Sequence, residues 1–203
     1  MADYHVIARV GQMLKGLLWQ GFDADQEVRP VVGNEEAIVV DSPSETARDS
    51  SNRLSVFLYQ ITEDPYMKNA PMVQGVTPSG QAFPPLALDL HYLITPFVPE
   101  PEGQHLLLGK VMQVFYDNAT LTLEDRLTGQ AEPVRLVLNR LTLEEHTRVW
   151  DALREPYRLS IAYIVRVPRV ASGRQREVAR VGDRTNDYGT NGNGSNGAGG
   201  SRP

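Results

Sequence analysis

Asp89 and His91 stand two residues apart in the stretch PPLALDLHYLITPF (84–97), and they are the nearest thing in the chain to an acid–base pair. In a strand, residues two apart point to the same face, with Cα atoms about 6–7 Å apart. A hydrogen bond between the carboxylate and the imidazole is then possible but not forced. A hydrolytic site also needs a nucleophile. No G-x-S-x-G turn occurs, and Ser160 falls inside a strand pattern rather than on a strained turn. The pair reads first as the polar side of a strand that meets solvent, a helix end or another subunit. A small hydrolase or transferase using Asp89 and His91 is the catalytic alternative, and a free-standing adaptor domain is a third reading.

The other candidate groups point away from a cofactor. His5, His91, His105 and His146 form no metal-binding spacing. His146 falls near the inner stripe of a helix and is expected to be structural and partly buried; His105, at a helix start, is expected to be exposed. Glu144 and Glu145, with Glu124 and Asp125, imitate carboxylate pairs, but near helix N-termini such groups serve the helix dipole. There is no G-x-x-x-x-G-K-[ST] or G-x-G-x-x-G string, and the glycines of NGNGSNGAGG have no helix after them. Arg166, Arg169, Arg174, Arg176, Arg180 and Arg184 make a basic stretch without interleaved aromatics, which fits a solvated or partner-docking arm better than a nucleic-acid site.

The totals agree. The 203 residues carry a formal net charge of -5, so the chain has no electrostatic reason to seek nucleic acid or anionic membrane. With no cysteine there is no disulfide, thiolate metal site or cysteine nucleophile, and a reducing compartment suits the chain. No apolar run approaches the roughly 20 residues that cross a bilayer. MADYHVIARVGQML lacks the apolar core of a signal peptide, so no direct membrane insertion is expected and folding is expected inside the cell.

The elements that must position these groups follow from periodicity. DYHVIARVGQMLKGLLWQG predicts a helix, with Asp3 as N-cap and Gly21 as stop. Gly11 and Gly16 weaken it and suggest that another element comes close. EEAIVVDSP predicts a short strand. LSVFLYQIT (54–62), apolar on both faces, predicts a central strand covered on both sides. A long connection without a period follows, up to Pro84, and then the strand that carries Asp89 and His91. GQHLLLGKVMQVFYDNA predicts a broadly buried helix with Leu108, Val111, Met112 and Phe115 on one stripe. PVRLVLNRL and YRLSIAYIVRV (157–167) alternate as strands. TLEEHTRVWDAL, with Thr142 and Glu145, carries a capping-box signature and an inner stripe of Leu143, Val149, Trp150 and Leu153. The order predicts an α+β or mixed α/β domain, helices packed on a sheet, over residues 1–168. A basic extended arm (169–184) and a disordered Gly/Asn/Ser-rich tail (185–203) are expected after it.

Specific strings add to this reading. RLSVFLYQITEDPYMKN (53–69), PPLALDLHYLITPF (84–97), HLLLGKVMQVFYDN (105–118) and LTLEEHTRVWDALREPYRLSIAYIVRV (141–167) occur in this order. Together they resemble the N-terminal domain of the cap, or tail-terminator, proteins of phage-tail-like contractile injection systems, typified by the Photorhabdus virulence cassette and the antifeeding prophage. The resemblance implies a tail-terminator-like α/β fold and a homohexameric ring that closes the inner tube and the contractile sheath. It implies a structural role without catalysis or cofactor. Its implied partners are other copies of the chain, the inner tube protein and the sheath protein, met in the bacterial cytoplasm as the particle assembles. For such a ring, Tyr66, Met67, Met72, Val73 and Phe83 in the long connection are the expected apolar contacts. Arg169, Arg174, Arg176 and Arg180 are the expected contacts of the arm, which is placed to add to a neighbour's sheet edge.

Overall fold

Alternation in the longest apolar stretch sets the frame. Leu88, Leu90, Tyr92 and Ile94 are all buried on one face of the strand Leu86–Pro96, because every second side chain of extended backbone shares a face. The computed structural model describes residues 5–65, 73–74, 80–82, 86–124, 131–170 and 175–177. Its helices are α1 (Val6–Asp23), α2 (Arg29–Val32), α3 (Pro43–Thr46), α4 (Pro101–Asp117) and α5 (Leu143–Leu153). Its strands are β1 (Ile38–Val39), β2 (Leu54–Glu63), β3 (Val73–Gln74), β4 (Gly80–Ala82), β5 (Leu86–Pro96), β6 (Thr120–Glu124), β7 (Ala131–Asn139), β8 (Ile161–Val170) and β9 (Gln175–Glu177). Six of them form a mixed sheet in the order β1-β2-β5-β8-β7-β6. β1 runs parallel to β2, and each other neighbouring pair in this sheet is antiparallel. This is the α+β arrangement that the order of elements predicts.

Helices α1 and α4 cover one face of the sheet. Val10, Leu14, Leu18 and Phe22 of α1 and Leu107, Val111 and Phe115 of α4 are buried with Leu90, Tyr92, Ile94, Val134 and Val165 in one core. Each such side chain contributes about 1.5–3 kcal/mol. Phe115 meets Tyr163 edge to face, with ring centroids 4.8 Å apart. Gly21 is not the helix stop: it lies inside α1, where an added Cβ would stand 2.4 Å from Cγ2 of Val114. Its missing side chain is what lets α1 and α4 approach. Gly11 sits in the same way against Val40, whereas Gly16 has open space around it. Lys110 of α4 pairs with Asp25 at 2.8 Å, and the same carboxylate accepts from the amides of Glu27 and Val28, fixing the turn after α1.

Several expectations need correction. The second half of β2 is not covered on both sides, since β1 pairs only with Leu54 and Ser55, and Gln60 and Ile61 are exposed. Met112 points outward from α4, and of the expected α5 stripe only Trp150 is fully buried. β8 begins at Ile161, leaving Tyr157 and Leu159 exposed before it. The expected boundary at Pro168 falls inside β8. Asp89 pairs with Arg166 but Ala87 with Arg169, so Val167 and Pro168 together stand against Leu88. A bulge of this kind accommodates a proline, which has no N–H to give a ladder. β3, β4 and β9 form a second, three-stranded sheet, with Val73 and Gln175 both opposite Ala82. Parts of the connection that shows no period and of the basic arm thus pair with each other. The tail expected over 185–203 lies outside the described residues.

Candidate functional site

Ala87, Asp89, His91, Leu93 and Thr95 alternate with the core residues of β5 and turn to the opposite face of the sheet. The register sets Thr62 of β2 and Arg166 of β8 on either side of Asp89. Asp89 is only 7% exposed. Its Oδ2 lies 3.9 Å from Nε of Arg166, beyond hydrogen-bond reach, and its Oδ1 has no partner. Burial pushes the Asp89 carboxyl above the usual carboxylate range; Arg166 and His91 pull it down, and Asp64 pushes it further up.

His91 is held differently. Its Nε2 lies 3.0 Å from the Thr62 hydroxyl, its ring meets Tyr59 edge on, and its buried Nδ1 has no partner. Burial lowers its pKa, with Asp89 opposing and Arg166 reinforcing, so the surroundings favour the neutral ring. A hydroxyl on an imidazole is the first half of a nucleophile–base arrangement. The second half, a carboxylate that orients the other ring nitrogen, is not formed, because Asp89 makes no hydrogen bond to Nδ1. The site is a partly satisfied polar seam between strands.

Helix α5 lies on this same face. Thr142 Oγ1 accepts from the Glu145 amide, and Glu145 returns the bond to the Thr142 amide at 2.7 Å. These bonds hold the Glu145 carboxyl below its ordinary range. Glu144 pairs with Arg148 one turn on. The two carboxylates thus start a helix, as expected from their position. His146 is half-buried, its Nε2 has no partner and burial lowers its pKa; His105 is exposed. Among the described residues no group of three or more His, Cys, Asp or Glu could hold a metal ion, and no helix is long and apolar enough to cross a membrane.

Of the expected contact residues, Tyr66, Met67, Met72, Phe83, Arg174 and Arg180 lie outside the described residues. Val73 is on β3, Arg169 on β8 opposite Ala87, and Arg176 on β9 opposite Gln81. Periodicity missed other apolar surface. Tyr116 is 84% exposed and borders a groove of about 370 Å³ with Met112 and Leu138, at the free end of β7. A second groove, of about 320 Å³, lies between α5 and β2, lined by Phe57, Tyr59, Val149, Ala152 and Leu153. The only sequence signal for the first is that Met112 and Tyr116 lie one turn apart beside a stripe that already fills the core.

Comparison with known proteins places this geometry. The sequence model of the Pvc16 N-terminal domain family matches residues 9–183. The fold is shared with the PVC sheath/tube terminator, in its extended state, of an extracellular contractile injection system. That structure is 18% identical with a TM-score of 0.58, and the match covers 94% of this chain and 66% of that one. It is shared also with the anti-feeding prophage cap, a tube terminating cap, at 21% identity and a TM-score of 0.51, covering 77% of this chain and 56% of that one. The chain therefore spans under two-thirds of the length of these structures. No curated protein matches the chain.

Proposed function

Because the chain belongs to the Pvc16 N-terminal domain family, we propose that it is a structural cap that ends the inner tube and contractile sheath of an injection particle. The observation that carries this reading is the family match over residues 9–183, joined to a shared fold with a sheath/tube terminator over 94% of the chain. The cap works as a homohexameric ring with the tube and sheath proteins as partners, it assembles in the bacterial cytoplasm, and it does no catalysis. A ring subunit needs a rigid core and surfaces that pair heterologously with its neighbours. The α1–α4 core supports the first requirement and the exposed apolar grooves the second. Tyr66, Met67, Met72, Val73 and Phe83 contact the neighbouring subunit or the tube rim, and Arg169, Arg174, Arg176 and Arg180 contact a neighbouring subunit or the sheath.

The unpartnered Nδ1 of His91 supports the non-catalytic part of this reading, since a base without an orienting group is poorly placed for nucleophilic chemistry. Electron microscopy of purified chain mixed with tubes tests the proposal. A six-fold ring seated on one end of each tube is the expected image. Bare tube ends beside free chain would overturn it.

A further inference from the structure

The register of the sheet lines up one polar row across five strands. Thr62 of β2 faces Asp89 of β5, Asp89 faces Arg166 of β8, Arg166 faces Arg135 of β7, and Arg135 faces Thr120 of β6. Cross-strand partners share a face, so the row lies on the side of the sheet that carries α5. Two arginines stand directly opposite each other in it, an arrangement that weakens a strand pair. Asp89 offsets this only in part, since its carboxylate stands 3.9 Å from Nε of Arg166, and that nitrogen is buried without a hydrogen bond. Arg135 is exposed and has no ion-pair partner among the described residues. Glu132, three positions before it, turns to the other face of β7, whereas Val137, two positions after it, shares its face and is exposed.

The opposite edge of the sheet is acidic. Around β1 and α3 the residues Glu35, Glu36, Asp41, Glu45 and Asp49 are all exposed. Two cations lie among them. Arg48 pairs with Glu45 at 2.6 Å, and Arg53 donates to the main-chain carbonyls of Ser50 and Asn52. Among the described residues this leaves Glu35, Glu36, Asp41 and Asp49 without a cation. The stretch is held in place by its own side chains. Asn34 Oδ1 accepts from the Ala37 amide, the Ser42 hydroxyl accepts from the Glu45 amide, and Ser55 Oγ donates to the Asp41 carbonyl across to β2. A rim ordered in advance loses little freedom when it is paired. Val40, beside Asp41, is exposed within it.

The two surfaces do not meet within one chain, because β1 and β7 are four strand spacings apart, about 19 Å. We propose that the Arg135–Arg166 face of one copy of this chain docks on the Glu35–Asp41 rim of a neighbouring copy, with Val137 and Val40 at the middle of the contact. Charge complementarity selects this partner. Copies with a net charge of -5 repel one another as wholes, and setting the basic face against the acidic rim turns that repulsion into a fixed orientation. The two patches lie towards opposite edges of the sheet, so the contact is heterologous, the kind that closes into a ring. A two-fold contact of either patch with itself would set like charges together. The inference rests on the ring reading for the identity of the neighbour.

The chain has no cysteine, so introduced cysteines report alone. Full-length Val137→Cys chains are mixed with full-length Val40→Cys chains and oxidised. Gln20→Cys, on α1 across the sheet, replaces Val137→Cys in the control. A docked contact raises the local concentration of the partner thiol, so we expect at least about tenfold more disulfide-linked two-chain product than in the control. Most of that excess should be lost in about 1 M salt, which screens charges beyond about 3 Å. Arg135→Glu added to the Val137→Cys chain should remove the excess, and Glu35→Arg/Glu36→Arg added to the Val40→Cys chain should then restore it, which a misfolded variant would not allow. A yield no greater than the control, or one that these charge changes do not move, would overturn the inference. Capped tube ends seen by microscopy without this cross-link remove the inference alone; the cross-link beside bare tube ends keeps it and removes the cap reading.

Discussion

The indole Nε1 of Trp150 donates to the hydroxyl of Ser160 across 3.2 Å, with both residues buried. This bond fixes the position of α5, whose other apolar residues are half-buried or exposed. Trp150→Ala should cost about 3–5 kcal/mol, through lost burial and a cavity. Ser160→Ala, which leaves a buried N–H without an acceptor, should cost about 1–3 kcal/mol. Urea denaturation followed by far-UV circular dichroism checks both, and equal stability of the two variants would contradict the assignment.

The approach of α1 to α4 depends on Gly21. Gly21→Ala gains about 1 kcal/mol of helix propensity but drives a Cβ into Val114, whose branched side chain has little rotamer freedom in a helix. The clash should win, with a net loss of about 1–3 kcal/mol. Adding Val114→Ala should cost less than the sum of the single changes, a coupling that a double-mutant cycle in thermal melts reads directly.

Acid should weaken the fold through its histidines. Burial lowers the pKa of both His91 and His146 below the ordinary 6.5, so the unfolded chain takes up these protons first as pH falls. Their contribution is complete above pH 6.5 and is lost as the pH drops through the lowered values. Asp89 acts with the opposite sign: its raised pKa favours the folded state in acid, and that advantage fades as pH rises above the ordinary carboxylate value of 3.8. Between about pH 7.5 and 5.5 the urea midpoint of the native chain should fall, and a His91→Gln/His146→Gln variant should fall less. Parallel curves for the two proteins would contradict the assignment.

Asp89 is buried with one oxygen unpaired and its cation too distant for a hydrogen bond. Asp89→Asn keeps the shape and removes the buried charge, so stability at pH 7 should be unchanged or raised by about 0–2 kcal/mol. Tube capping by this variant should be unaffected, as should capping by His91→Asn. Loss of capping at unchanged stability would give the seam a functional part that the cap reading does not include.

How far the sequence could be read depends on where the information lies. The two faces of β5, the capping box at Thr142 and the buried helix with Leu108, Val111 and Phe115 were legible, because alternation, helical spacing and capping are local. Gly21 was misread as a stop, since nothing near it in sequence reveals Val114 across the helix pair. β6 was missed because TLTLE is short and follows α4 almost at once; α2 and α3 have only four residues each. The partial exposure of β2 was hidden for the same kind of reason: LSVFLYQIT is apolar on both faces, and only the pairing shows that β1 stops at Ser55. At the site, the shared face of Asp89 and His91 follows from spacing, but their partners Arg166 and Thr62 come from neighbouring strands. The register that brings them there is a property of the whole sheet.

The central claim concerns the end of a tubular particle. Its most direct test is the distribution of tube and sheath lengths, measured by electron microscopy, in particles assembled with and without this chain. The account predicts one uniform length with a ring at the distal end when the chain is present, and variable, uncapped tubes when it is absent. Particles of the same uniform, closed length without the chain would contradict it.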